Sequence, residues 1–352
     1  MPKRKKKRKN CSARRLLILL ICMLILVLVG IIAVACTMLP PGPDTPPDTI
    51  PSTDPTHTDP PTEPPRNGWI IADGNSYYYD NDTALTGAQT IDGTLYCFGE
   101  DGALLGSGWQ TVGGETYYLN ADGTAYYGWL DLEDERYYLQ EDGTMATGAV
   151  VIAEQTWFFT SQGCQFYVVN PWNYVPEDYV KNLVDIPSEF GSGQRVDASC
   201  YDALMQMLTD CEKAGHNMYI LSSNRSQADQ EYLFNNQVNK QMANGYSYEE
   251  ALKVAATISA IPGTSEHQLG LAVDIIDTKL WALEEEQADL PGQQWLMEHC
   301  HEYGFILRYP KDGTDSTGII YEPWHYRYVG IELAYELHEL DLTVEEYLET
   351  LN

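Results

Sequence analysis

Between Gly68 and Gly163 the chain repeats itself with a period close to twenty residues, and this period restricts the available folds more than any other feature. Gly68-Trp69, Gly108-Trp109 and Gly128-Trp129 open three units, and Gly87 and Gly148 stand in equivalent places, at spacings of 19, 21, 20 and 20. Each unit then carries an aromatic cluster: Tyr77-Tyr78-Tyr79, Tyr96 with Phe98, Tyr117-Tyr118, Tyr137-Tyr138 and Trp157-Phe158-Phe159. Asp101-Gly102, Asp122-Gly123 and Asp142-Gly143 follow, and Asp-Gly beside short aromatic strands is a hairpin signal. A single hairpin cannot bury its aromatic face alone. Units at a fixed period are therefore expected to stack as an all-β hairpin-repeat solenoid over residues 67–166.

This pattern resembles the cell-wall-binding repeats of the choline-binding or glucan-binding type, over about a hundred residues. The resemblance implies a cell-wall polymer as partner. One departure concerns the Trp that usually precedes the aromatic pair and completes a cage around a quaternary ammonium. Ser76, Thr116 and Arg136 occupy those positions here. A wall glycan or another polymer thus stands beside choline as the expected ligand. Trp69, Trp109 and Trp129 serve either that ligand or the core of the array.

Two short stretches lie about fifty residues apart further on: S-E-H-Q-L-G-L-A-V-D, Ser265 to Asp274, and E-P-W-H-Y-R, Glu322 to Arg327. They offer two imidazoles and a carboxylate as metal ligands, with a second carboxylate three residues before one imidazole. Three protein groups on a zinc ion leave a fourth position for water, and a nearby carboxylate can take that water's proton. His267 and Asp274 are seven apart. Side chains on one strand share a face only at even separations, so one of the two is expected on the turn before the strand. Helical spacing at Ala198 to Ala214, Gln227 to Met242, Ser247 to Ile258 and near Gln293 to Tyr303, mixed with short strands at 218–221, 269–276 and 322–328, predicts an α+β domain over residues 167–352.

Both stretches resemble the zinc peptidases of the VanY and D-alanyl-D-alanine carboxypeptidase type, whose pattern S-x-H-x-x-G-x-A-x-D followed by E-x-W-H-x-R is met at every specified position. The resemblance covers roughly the last 180 residues. It implies Zn2+ held by His267, Asp274 and His325, with Glu322 as general base and peptidoglycan stem peptides as substrate. The family's Arg-Ser is kept at Arg225-Ser226, although Asn224 replaces the usual aromatic. Arg225 is the expected partner of the oxyanion, Ser265 the holder of the substrate's terminal carboxylate, and Trp324 and Arg327 structural supports. The leading expectation is a D,D-carboxypeptidase. An L,D-carboxypeptidase, an endopeptidase on cross-links and a wall-binding protein without catalysis remain as alternatives.

Location is read from the first 66 residues. Nine of the 21 basic residues and no acid fall in 1–15, and Leu16 to Leu39 carries no charge. As a helix those 24 residues reach roughly 36 Å, enough to span a membrane, with the basic head cytoplasmic and everything after Pro40 exported. A cleaved signal peptide, or lipid attachment at Cys36 within Ala33-Val34-Ala35-Cys36, would equally place the rest outside the cytoplasm. Residues 40–66 form a linker in which 11 of the 19 prolines fall, an extended stalk of up to roughly 80 Å. The exported part carries 12 basic against 51 acidic residues, which argues against nucleic acid as a partner. Cys97, Cys164, Cys200, Cys211 and Cys300 make an odd set, and Cys200 and Cys211 fall too far apart along one helix to bridge. Buried free thiols are expected.

Overall fold

The computed structural model describes residues 66–133 and 135–351. The basic head at 1–15, the apolar segment at 16–39 expected to cross a membrane, and the proline-rich stretch up to residue 65 lie outside the described residues. Among the described residues no helix is long and apolar enough to span a membrane.

Five antiparallel hairpins fill the repeat region. They pair Gly68–Ala72 with Asn75–Asp80, Gly87–Ile91 with Thr94–Phe98, Gly108–Val112 with Glu115–Leu119, Gly128–Leu132 with Glu135–Leu139, and Gly148–Ile152 with Gln155–Phe159. The turns that join these strands are not the Asp-Gly pairs singled out above. The four whose central residues are both described lie at Asp73-Gly74, Asp92-Gly93, Gly113-Gly114 and Ala153-Glu154, where both have positive φ, as the right-handed twist of a two-residue hairpin requires. Asp101-Gly102, Asp122-Gly123 and Asp142-Gly143 instead fold the chain back across the aromatic strand, giving the bridges Phe98↔Leu104, Leu119↔Ala125 and Leu139↔Met145. Each of these units therefore turns twice.

The tryptophans join one unit to the next. Trp69 packs edge-on against Tyr96 at 5.0 Å between ring centroids, Trp109 against Tyr137 at 4.9 Å, and Trp129 against Trp157 at 4.7 Å. Stacking of this kind buries aromatic surface that a single hairpin leaves wet. Arg136 lays its guanidinium over Trp129, 4.4 Å from the centroid, so a cation of the protein itself already covers that ring.

The remainder is an α+β domain around a four-stranded antiparallel sheet, in the order Met218–Ser222, Ala272–Asp277, His325–Tyr328, Phe305–Leu307. Helix Ala198–Lys213 starts at Asp197, whose carboxylate caps Ser199 N, and buries Cys200, Leu204, Met207, Leu208 and Cys211 along one stripe. That stripe, together with Val273, Ile275 and Tyr326, forms the main core. Period-two alternation along Ala272–Asp277 therefore turns Asp274 to the opposite face of the sheet. Helices Gln227–Ala243 and Tyr248–Ile258 each open with a capping box, Ser226 with Asp229 and Ser247 with Glu250, and pack through Phe234, Val238, Ala251 and Ala255. All five described cysteines are free; Cys97, Cys200, Cys211 and Cys300 are buried and Cys164 is half-buried.

No element is expected from the sequence after Tyr328, yet two helices follow, Ile331–Leu340 and Val344–Thr350. Their apolar faces close over Phe158, Phe166 and Val168, so the fifth hairpin shares a core with the C-terminal helices. Tyr347 Oη accepts a hydrogen bond from Ser161 N at 2.8 Å, and Ser161 Oγ donates to Glu336 at 2.9 Å.

Candidate active site

Strand register builds the site. Asp274 pairs with His325 across the sheet, and Ser222 pairs with Asp274 on its other side. Directly opposed residues on neighbouring strands place their Cβ atoms about 5 Å apart on one face. His267 comes from the 3-10 turn Glu266–Leu269 just before the strand, as its odd spacing from Asp274 required. Gly270 ends that turn at φ 78°, and a Cβ there would meet Leu183 Cδ2 at 3.1 Å and Asp197 N at 3.3 Å. Only glycine fits this corner comfortably.

His267 Nε2 then lies 3.2 Å from Asp274 Oδ2, and His325 Nδ1 lies 3.1 Å from Asp274 Oδ1. The rings stand edge to face, 4.9 Å apart. Glu322 Oε2 is 3.5 Å from His325 Nδ1. All six residues singled out in the sequence, Arg225, Ser265, His267, Asp274, Glu322 and His325, line one cleft of about 410 Å³. Leu233, Ile258, Leu283, Ile319 and Ile320 form its apolar wall. A slightly larger cavity, about 450 Å³, lies beside Met297, His301 and His338 and holds no donor cluster of this kind among the described residues.

The donor set calls for a cation. His267 Nδ1 is 2.7 Å from Ser223 O, a carbonyl that can only accept, so Nδ1 carries the ring proton and Nε2 turns its lone pair toward Asp274. Burial first, and Arg225 second, hold His267 down to about 4, so the ring stays neutral at ordinary pH. Asp274 Oδ1 is buried without a hydrogen-bond partner. Two acceptors facing each other at little over 3 Å repel unless positive charge stands between them. Two imidazole nitrogens and a carboxylate within 4.8 Å of one another suit zinc better than calcium or magnesium, which take oxygen-rich shells. His267, Asp274 and His325 would hold the ion. A second group, Glu135, Cys164 and Glu332, also gathers donor atoms, but both its carboxylates are exposed.

The charged neighbours respond to this arrangement. Burial pushes Glu322 up to about 7; His325 and Arg225 pull it down and Asp274 raises it. A carboxylate poised there can take and return a proton near neutrality. For His325 burial works against the charged form, but Asp274 and Glu266 outweigh it and push the ring up to about 9. Arg225 is tethered: Nη2 donates to Asp274 Oδ2 at 2.7 Å and to Ser222 Oγ at 2.8 Å, and Nη1 donates to Gln230 Oε1 at 3.3 Å. Its nearest partner is thus Asp274, one of the three candidate ligands.

Behind these residues lies a layer that no sequence motif marks. Glu266, buried, accepts from Arg308 Nε at 2.9 Å and Arg327 Nη1 at 2.7 Å. Arg308 also donates to both carboxylate oxygens of Glu345, and Arg327 to Tyr167 O. Arg327 is the structural support anticipated for it. The available signal was Glu266 itself, an acid inside a buried motif that ends, in its second half, on an arginine.

Residues 193–331 match the family described as VanY, D-alanyl-D-alanine carboxypeptidase, and residues 107–147 match the choline-binding repeat. A D-alanyl-D-alanine carboxypeptidase of Enterococcus faecalis is 37% identical over 183 residues, 52% of this chain and 65% of the relative. The chain therefore spans a little under two thirds of that relative's length. Among solved structures, a vancomycin resistance D,D-pentapeptidase VanY in complex with Zn(II) is 37% identical, covering 52% of this chain and 97% of the other, at a TM-score of 0.47. The LdcB LD-carboxypeptidase is 34% identical, covering 53% and 86%, also at 0.47.

Proposed function

We propose that this chain, whose residues 193–331 match the VanY family of D-alanyl-D-alanine carboxypeptidases, is a zinc carboxypeptidase that removes the C-terminal D-amino acid from peptidoglycan stem peptides. The observation that carries the reading is the convergence of His267, Asp274 and His325 on one point, with Glu322 beside it in a cleft. Zinc held by these three residues would supply a polarised carbonyl and a water whose pKa is lowered toward about 7. Glu322 takes the proton of the attacking water and returns it to the leaving amine. Arg225 faces the same cleft and offsets the charge that develops on the carbonyl oxygen. Ser265, buried at the cleft wall, holds the terminal carboxylate, and the apolar wall receives the small side chain of the departing residue.

The hairpins stack as a solenoid that binds a wall polymer, and residues 16–39 anchor the chain in the membrane with its enzyme domain outside. The inter-unit tryptophan contacts support the first part, and the uncharged stretch with its basic flank supports the second. Mass spectrometry of defined muropeptides, treated with the zinc-loaded full chain, tests the catalytic reading. Pentapeptide should lose one D-Ala. Trimming of tetrapeptide alone would select the L,D reading, which uses the same donor set. No change in either would leave a wall-binding protein.

A further inference from the structure

Nδ1 of His325 faces Asp274, and the other ring nitrogen must be accounted for too. Nε2 lies 3.6 Å from Glu266 Oε2, and both atoms are buried with no hydrogen-bond partner. That separation exceeds a normal N–H···O distance by about 0.7 Å, within reach of a small ring movement. Glu266 cannot turn away to another donor. Its Oε1 is fixed by Arg308 Nε and Arg327 Nη1, and these arginines are fixed in turn by Glu345, Tyr167 O and Tyr328 O. Oε2 is left aimed at the imidazole. A carboxylate oxygen can only accept, so the facing nitrogen must carry the proton. A neutral ring protonated at Nε2 presents its Nδ1 lone pair on the side where Asp274 and the cation site lie.

We propose that Glu266 is a positioning residue for the metal ligand His325, holding its ring in the Nε2–H tautomer and in the orientation that turns Nδ1 to the ion. Glu266 sits next to the ligand His267 in sequence yet serves the ligand on the other strand. Through Arg327 and Tyr167 O, the same carboxylate links His325 to the backbone just after the fifth hairpin. The inference rests on the zinc reading of the donor set but not on the identity of the peptide cleaved, so its test avoids hydrolysis.

In zinc-loaded full chain with 15N-labelled histidine, His325 should show a protonated Nε2 and an unprotonated Nδ1; the opposite tautomer overturns the assignment. Glu266→Gln should weaken zinc binding 10–100-fold in competition with a chromogenic chelator. A folded E266Q chain that binds zinc as tightly as the parent overturns it as well. If the loss of charge beside Arg308 and Arg327 prevents folding, Glu266→Asp keeps the charge while drawing the oxygen back from Nε2. Zinc binding should weaken there too, and parental affinity in E266D counts against the proposal. A merely structural Glu266 would lower the melting temperature and leave zinc affinity untouched. Failure of the carboxypeptidase reading would look different: zinc bound normally and no muropeptide trimmed.

Discussion

Asp274 serves three groups at once. One oxygen accepts from Arg225 and faces His267, while the other faces His325 and is otherwise unpartnered. Burial alone would raise its pKa, but the facing imidazoles and Arg225 hold it well below the usual carboxylate range. Glu322, the proposed base, lies just outside this triangle. Glu322→Gln should therefore keep zinc near one per chain while hydrolysis falls by at least about 10²–10⁴-fold, read by metal analysis and muropeptide turnover. The pH profile follows from the same residue. A base works deprotonated, so kcat/KM should rise with pH through Glu322. Its limb should lie at or below about 7, because a bound cation can only pull the carboxylate down from where burial puts it. Activity that declines as pH climbs toward 7 would contradict this role.

Among the elements, the 3-10 turn Glu266–Leu269 and its exit through Gly270 decide whether His267 meets the strand that carries Asp274. Gly270→Ala adds a Cβ against Leu183 and Asp197 N at a positive φ. A cost of about 1–3 kcal/mol is expected in urea unfolding, with weaker zinc binding alongside. A variant of parental stability and affinity would show that the corner is not strained. The turn was legible in the sequence because seven is an odd number, so the two candidate ligands could not share one strand face. The pairing of Asp274 with His325 was not legible from spacing, since register between strands fifty residues apart is settled by the sheet they join. Glu266 was hidden for a related reason: Arg308 belongs to no motif and meets it only in the folded domain. In the repeats, period and aromatic content marked the hairpins correctly. The Asp-Gly pairs misplaced their turns, because Asp73-Gly74 and Asp92-Gly93 share the same letters and only φ at both positions separates the two kinds. The two C-terminal helices went unread, although Thr343 and Glu346 form a capping box that signals the second.

At the scale of the whole molecule, the fifth hairpin and the C-terminal helices hold each other in place. Tyr347 connects them, accepting from Ser161 N and donating to Glu336. Tyr347→Phe should cost about 1–3 kcal/mol by leaving that amide unpaired, measured as a shift in the urea midpoint. A neutral result would mean the amide finds water. High pH should loosen the domain through its thiols. Burial pushes Cys200, Cys211 and Cys300 up to about 12 from the ordinary 9.0, so the folded state holds these protons more tightly than the unfolded chain. Their contribution is complete below pH 9.0 and is lost as pH rises toward about 12. The most direct test of the whole account is zinc content, measured on the purified full chain and on its His267→Ala variant. We expect close to one ion per chain in the first and almost none in the second. Parental zinc content in the variant would show that the two histidines and the aspartate are not the ligands.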